Sequence, residues 1–366
     1  MEPATETTPQ ARKAHIRWIC GTLALTLAAF CLFAAPTAYI DPLFHYHAPL
    51  DQYQYPITNE RYQNDGITRH FSYNGIITGT SVTENFKTSE ADALFDATFI
   101  KVPYAGGRHK EVNDNLRRAY ESGHEIKYII RGLDSELLIQ DKDAYKEDYQ
   151  YPTYLYNDNP FDDVNYLLNK TILFDYTLQV VDYTKAGNRT TSFDDYANWS
   201  DQFQYGADIV LAPYAFAEEE PPQEPLTEED RRMIQETLQQ NVIDLALEHP
   251  ETTFYLFFSP FSIIDWGRQY NLGRVERQVD AEQVAIEALL QVPNIRLYSF
   301  NNNFDLICDL SNYKDYEHYG EWINSWILEQ LCGDEYRLTQ DNYQAYMDAI
   351  RQFYTTFDYA ALTPDN

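Results

Sequence analysis

Ser81 follows Gly79-Thr80 at the end of a short apolar run, and Asp315 stands three residues before His318 near the far end of the chain. A hydroxyl, an imidazole and a carboxylate are the parts of a nucleophile relay. The imidazole removes the hydroxyl proton, and the carboxylate orients the imidazole and stabilises its charged form. In a helical turn Asp315 and His318 would lie on one side. Each piece alone has a plainer reading: Ser and Thr are preferred helix caps, and an acid near a histidine is often a surface pair.

Such groups need strand ends and loops to bring them together. Five apolar, β-prone runs, at 75–80, 97–102, 125–132, 253–258 and 294–300, alternate with helical or irregular stretches. That alternation predicts an α/β fold with a mainly parallel five-stranded sheet covered by helices. In open parallel sheets reactive groups gather at the carboxyl ends of the strands. Ser81 sits at the first such end, where its N–H is an unpaired helix-start donor able to face an oxyanion. Gly106-Gly107 follows the second strand and could bring backbone N–H groups close to a ligand, or simply turn the chain. Arg131 and Asp134 mark the third end and are candidate substrate-binding residues. Asp315 and His318 come from the loop after the fifth.

Helices are expected at 111–121, 161–181, 227–248, 275–290, 319–331 and 340–357, the third opening on a capping box, Thr227 to Asp230. Residues 41–74 show no sustained period and read as a lead-in wrapped on the domain. Residues 182–226, which include the acidic Glu218-Glu219-Glu220-Pro221-Pro222, are the longest interval without periodicity. Such an interval suits a substrate-facing lid or a plain surface insertion.

Ahead of these elements, Arg12, Lys13 and Arg17 precede an uncharged stretch from Trp18 to Ala35. Its length favours an uncleaved membrane-spanning helix, 18–40, over a cleavable signal peptide. The basic flank places residues 1–17 in the cytoplasm and the bulk of the chain outside a cell membrane. The chain carries 57 acidic against 27 basic side chains, a formal charge of −30. That charge excludes nucleic acid as a partner. With 31 Tyr and 20 Phe there is material for one large core. Cys20 and Cys31 fall in the anchor, whereas Cys308 and Cys332 lie beyond it, where an oxidising compartment would allow them to form a disulfide. His45 and His47 lack a third ligand nearby, so no metal site and no cofactor is expected.

The order of these pieces resembles the SGNH/GDSL hydrolase superfamily: Ser after the first strand, glycines after the second, Gly-x-Asp after the third, and Asp-x-x-His after the last. The likeness spans roughly 75–331. "GTSVTENFKTSE", "IIRGLD" and "NYKDYEHYGEWINSWI" look closest to its membrane-anchored, cell-envelope branch, whose members act beside membrane-bound O-acyltransferases in decorating polysaccharides. The resemblance implies a three-layer α/β/α, flavodoxin-like domain over 75–366. It implies Ser81 as nucleophile, His318 as base, Asp315 as its orienting partner, and N–H groups of Ser81 and Gly106 or Gly107 as the oxyanion hole. The implied function is extracytoplasmic acetyl-ester hydrolysis or O-acyl transfer on a cell-envelope polysaccharide. The implied partners are a glycan, an acyl donor and a membrane-bound O-acyltransferase. One departure stands out. The third block usually offers an Asn side-chain donor, and Asp134 stands there instead; an ionised carboxylate only accepts hydrogen bonds. An inactive glycan-binding or assembly protein on the same fold is the alternative.

Overall fold

The computed structural model describes residues 9–146, 151–217 and 221–362; the first eight residues and Glu218, Glu219 and Glu220 of the expected acidic loop lie outside them. Contacts group the chain into two units, residues 1–57 with 152–190, and residues 58–151 with 191–366. The interval 152–190 is thus associated with the amino-terminal region and not with the sheet.

The larger unit is built on six strands: β1 (Gly75–Thr78), β2 (Phe99–Lys101), β3 (Tyr128–Leu133), β4 (Thr253–Phe258), β5 (Ile295–Ser299) and β6 (Arg337–Leu338). Their order is β2-β1-β3-β4-β5-β6. The first five run parallel, and β6 pairs antiparallel with β5 through Leu297–Leu338 and Tyr298–Arg337. The sixth strand corrects the expected five. Two residues are too few to carry an alternating pattern. β1 is buried along its whole length, and β3 and β4 at every position but the first, as strands covered on both faces must be. Ile76-Ile77 in β1, Ile129-Ile130 in β3 and Phe254–Phe258 in β4 supply their apolar core.

Most expected helices form, at His109–Glu121, Val275–Leu289, Glu321–Leu331 and Tyr343–Thr356. The helix Glu228–Leu238 opens on the predicted box, with Asp230 N–H donating to Thr227 Oγ1 at 3.1 Å and Thr227 N–H to Asp230 Oδ2 at 3.0 Å. The expected 161–181 helix is instead broken into Val164–Leu167, a π-helical Ile172–Thr177 and Leu178–Lys185. A helix that periodicity did not predict, Glu60–His70, lies in the lead-in. Its buried side chains include Gln63, Asn64, Asp65 and Thr68, so it carries no apolar stripe to read.

In the smaller unit, Pro9–Ile40 is one 32-residue helix, long and apolar enough to cross a membrane. Just after it the Asp41 carboxylate accepts the N–H groups of His45, Tyr46 and His47 and the Tyr166 hydroxyl. His45 Nε2 lies 3.2 Å from Asp163 Oδ1, and His47 Nδ1 lies 2.6 Å from its neighbour Ala48 O.

Candidate active site

β1 ends at Thr78, and the chain turns sharply through Gly79, whose φ of +149° suits glycine. A Cβ there would lie 2.6 Å from Thr83 Cγ2, and one at Gly132 in β3 would lie 2.8 Å from the same methyl. Both glycines let the turn after β1 lie tightly on the end of β3. Ser81 opens the single helical turn Ser81–Thr83 that follows. Among the described residues its N–H has no hydrogen-bond partner.

Asp315 and His318 are not on a helical turn, as their spacing suggested, but in a tight loop closed by an antiparallel bridge between Tyr313 and Tyr319. Lys314 N–H donates to His318 O at 3.0 Å across it. Inside the loop Asp315 Oδ1 accepts the N–H groups of Glu317 at 2.9 Å and His318 at 2.8 Å, which fixes the bend. Ser262, just past β4, holds the loop through its N–H and hydroxyl, both donated to Tyr316 O.

The two segments meet. Ser81 Oγ is 2.7 Å from His318 Nε2, and His318 Nδ1 is 2.9 Å from each oxygen of Asp315. Burial works to raise the Asp315 pKa. The hydrogen bond and charge of His318, with the two loop N–H groups, outweigh it and hold the carboxyl well below its usual range.

Asp134, the first residue beyond β3, is buried at the same cleft. It accepts the Thr80 hydroxyl in a short hydrogen bond and the Ser259 hydroxyl at 3.4 Å. Burial raises its pKa, and the Thr80 bond and the His318 charge offset that only in part. A protonated Asp134 has a proton to donate, as the Asn of the resembling family does.

The cleft, about 100 Å³, is lined by Ser81, Gly106, Gly107, Asp134, Glu136 and Glu317 among others. Gly106 has φ +59°, and its N–H has no partner among the described residues. Gly107 N–H is committed to Tyr104 O at 2.7 Å, so it corrects the expected oxyanion pair: Gly106 remains available and Gly107 does not.

Arg131 is a second correction. It is 1% exposed, and its guanidinium donates to Asn241 O at 2.7 Å and meets His109 Nδ1 at 3.1 Å. These partners hold Arg131 in the interior, away from the residues that line the cleft. The disulfide is a third. Cys308 and Cys332 are both free. Cys332 caps the Glu321–Leu331 helix with its Sγ 3.6 Å from Leu328 O, whereas Cys308 ends the separate helix Phe304–Cys308.

Three neighbours had no signal in the spacing. Trp199, from the aperiodic interval, meets the His318 ring edge-on with centroids 5.5 Å apart, and its backbone N–H donates to Asn85 Oδ1 at 3.0 Å. Lys314 bonds Asp315 Oδ2 at 3.0 Å while its ammonium lies 4.6 Å from the Trp199 ring and 4.3 Å from that of Phe203. Glu317 joins Glu136 and Asp265 in a cluster of carboxylates, with the Arg268 guanidinium 3.1 Å from Asp265 and 4.0 Å from Glu317. Burial first, then the charges of Glu136 and Asp134, push the Glu317 carboxyl up to about 8.

No family model and no curated protein matches the chain. Among solved structures, a protein from Streptococcus pneumonia provisionally described as a platelet activating factor aligns with 78% of this chain and 90% of its own, at 12% identity and a TM-score of 0.36. At that level the likeness does not decide an activity.

Proposed function

We propose that this chain is a serine-dependent acyl hydrolase or O-acyltransferase of the SGNH type that acts on acyl esters of a cell-envelope polysaccharide. The supporting observation is the unbroken relay from Ser81 Oγ through His318 to Asp315, at 2.7 and 2.9 Å. His318 Nε2 takes the Ser81 proton as Oγ attacks the ester carbonyl. The Ser81 and Gly106 N–H groups face the oxyanion that forms. His318 then returns the proton to the departing alkoxide, which leaves an acyl-enzyme for water or a sugar hydroxyl to resolve. Transfer needs water kept from the acyl-enzyme, a role that suits the Trp199 segment lying against His318. The polysaccharide rests on the sequence resemblance, and a membrane-bound O-acyltransferase is the partner it brings with it.

A second reading, a glycan-binding or assembly protein without chemistry, draws on Asp134 standing where the family has Asn. A fluorophosphonate probe separates the two. The full chain should be labelled on Ser81 and Ser81→Ala should not. If the folded parent chain takes no label, the binding reading replaces the enzymatic one.

A further inference from the structure

The smaller unit carries an apolar surface that the proposed chemistry does not use. Segment 161–178 leaves Phe161, Val164, Leu168, Phe174 and Leu178 exposed, Phe161 at 89% and Phe174 at 57%. A soluble surface seldom presents so many large apolar side chains together. The segment is not isolated. Leu167, Leu168, Leu173 and Phe174 share an apolar crevice with Phe30 and Phe33 of the Pro9–Ile40 helix.

The position of Phe30 and Phe33 along that helix fixes what lies around the crevice. From Arg17 to Asp41 a helix rises about 36 Å, and from Arg17 to Phe33 about 24 Å. A hydrocarbon core is about 30 Å thick. If Arg17 stays at one boundary, Phe33 lies inside the core, within one or two turns of the other. Trp18 and Tyr39, 72% and 58% exposed, stand at the two ends of the stretch, where interfacial aromatics anchor a spanning helix. A segment packed on Phe30 and Phe33 therefore shares their depth, close to the boundary at which the rest of the chain emerges.

We propose that segment 161–178 is a membrane-embedded platform, its exposed apolar side chains immersed in lipid beside the Pro9–Ile40 helix. Lys170 and Asp175 are exposed in the same segment, so it rests at the headgroup and upper acyl level and not at the bilayer centre. The occupant of the surface is phospholipid. The platform anchors the chain at a second place, and the headgroup layer limits how far the smaller unit can tilt about its helix.

Nitroxide labels in the full chain, reconstituted in phosphatidylcholine vesicles, test this. The background is Cys20→Ala, Cys31→Ala, Cys308→Ala and Cys332→Ala, with single labels from Phe161→Cys, Phe174→Cys, Leu25→Cys in the spanning helix and Lys185→Cys on the polar side of the same unit. Phe161 and Phe174 labels should relax with dissolved oxygen over a water-soluble nickel complex at a ratio several-fold above that of Lys185 and below that of Leu25. A ratio matching Lys185 overturns the proposal. So does shielding from both relaxants, which would mean a second copy of the chain covers the surface, and so does a Leu25 label that reads as aqueous. Should the cysteine-free background fail to fold, a phosphatidylcholine with a photoreactive acyl chain replaces it on the unaltered chain. Cross-links must then appear in the peptide spanning 161–178, and their absence there, with cross-links present at Pro9–Ile40, rejects the platform.

Discussion

The loop after β5 and the end of β3 each deliver one aspartate to the same cleft, and the two carboxyls are held in opposite ways. Asp315 takes two backbone N–H groups, the His318 imidazole and the Lys314 ammonium. Asp134 takes only hydroxyls, from Thr80 and Ser259. Burial works against charge at both, more strongly at Asp134, which is 8% exposed, than at Asp315, whose side chain is 33% exposed. The supply of strong or charged donors widens the difference, favouring the ionised form at Asp315 and leaving Asp134 raised. Asp315 therefore contributes stability above its unfolded pKa that is lost on acidification. Asp134 does the reverse, costing stability as pH rises through its raised value. One residue type can thus be held as a fixed counter-ion at one place and biased toward its neutral form at another.

The largest effect should come from removing the charge at the first site. Asp315→Asn keeps the shape but offers His318 Nδ1 the wrong partner, and the fluorophosphonate labelling rate of Ser81 should fall about 10⁴-fold. A loss under tenfold would show that Asp315 shapes the loop without acting on His318.

Asp134→Asn is the converse substitution and should be mild. Asn supplies the N–H that a protonated Asp supplies as O–H. The labelling rate should stay within a few-fold of the parent, and any decline of the parent as Asp134 ionises should vanish in the variant. An equal loss at every pH would mean that Asp134 works as a carboxylate and that the contrast with Asp315 is false.

Glu317, between the two aspartates in the chain of charges, gives a smaller test read on stability. Its folded pKa near 8 lies above the ordinary value of 4.5. Between those values the folded chain binds more protons than the unfolded one, so stability declines as pH rises through the window and the full cost is present above about 8. Glu317→Gln removes that slope. Its Tm should match the parent near pH 4.5 and exceed it at pH 9. A lower Tm at pH 9 would show that the charge is held by Arg268, 4.0 Å away, more firmly than burial opposes it.

Ser81 was legible because it follows a strand end whose apolar run is unmistakable, and Asp315 and His318 because of their spacing and the order of the blocks. Arg131 and Asp134 looked equivalent beside the same strand. Side chains alternate faces along a strand, so two residues three apart point opposite ways; Arg131 faces the interior at His109 and Asp134 the cleft. The five parallel strands and most of the long helices were legible from apolar runs. The Glu60–His70 helix was not, since hydrogen bonds and not apolar contacts fill its buried face. Trp199 and Lys314 escaped for another reason: the ring of Trp199 meets that of His318 across more than a hundred residues, and no local pattern records such a pairing.

Lys314 gives the smallest expected effect and the finest measure of the contrast. Its ammonium bonds Asp315 Oδ2 and lies against both the Trp199 and Phe203 rings, so it draws part of the aspartate's negative charge away from the imidazole. Without that cation the carboxylate acts on His318 undivided and stabilises imidazolium more strongly, and imidazolium cannot accept the Ser81 proton. Lys314→Met should therefore move the acid limb of the labelling-rate profile to higher pH. A partly exposed ion pair is worth up to about 1 kcal/mol, and 1.36 kcal/mol corresponds to one unit, so the displacement should be on the order of half a unit. Met keeps the apolar stem beside the two rings, and the plateau rate should hold. A fall in the plateau without any displacement would assign Lys314 to packing of the Trp199 segment and leave Asp315 to the loop N–H groups and His318.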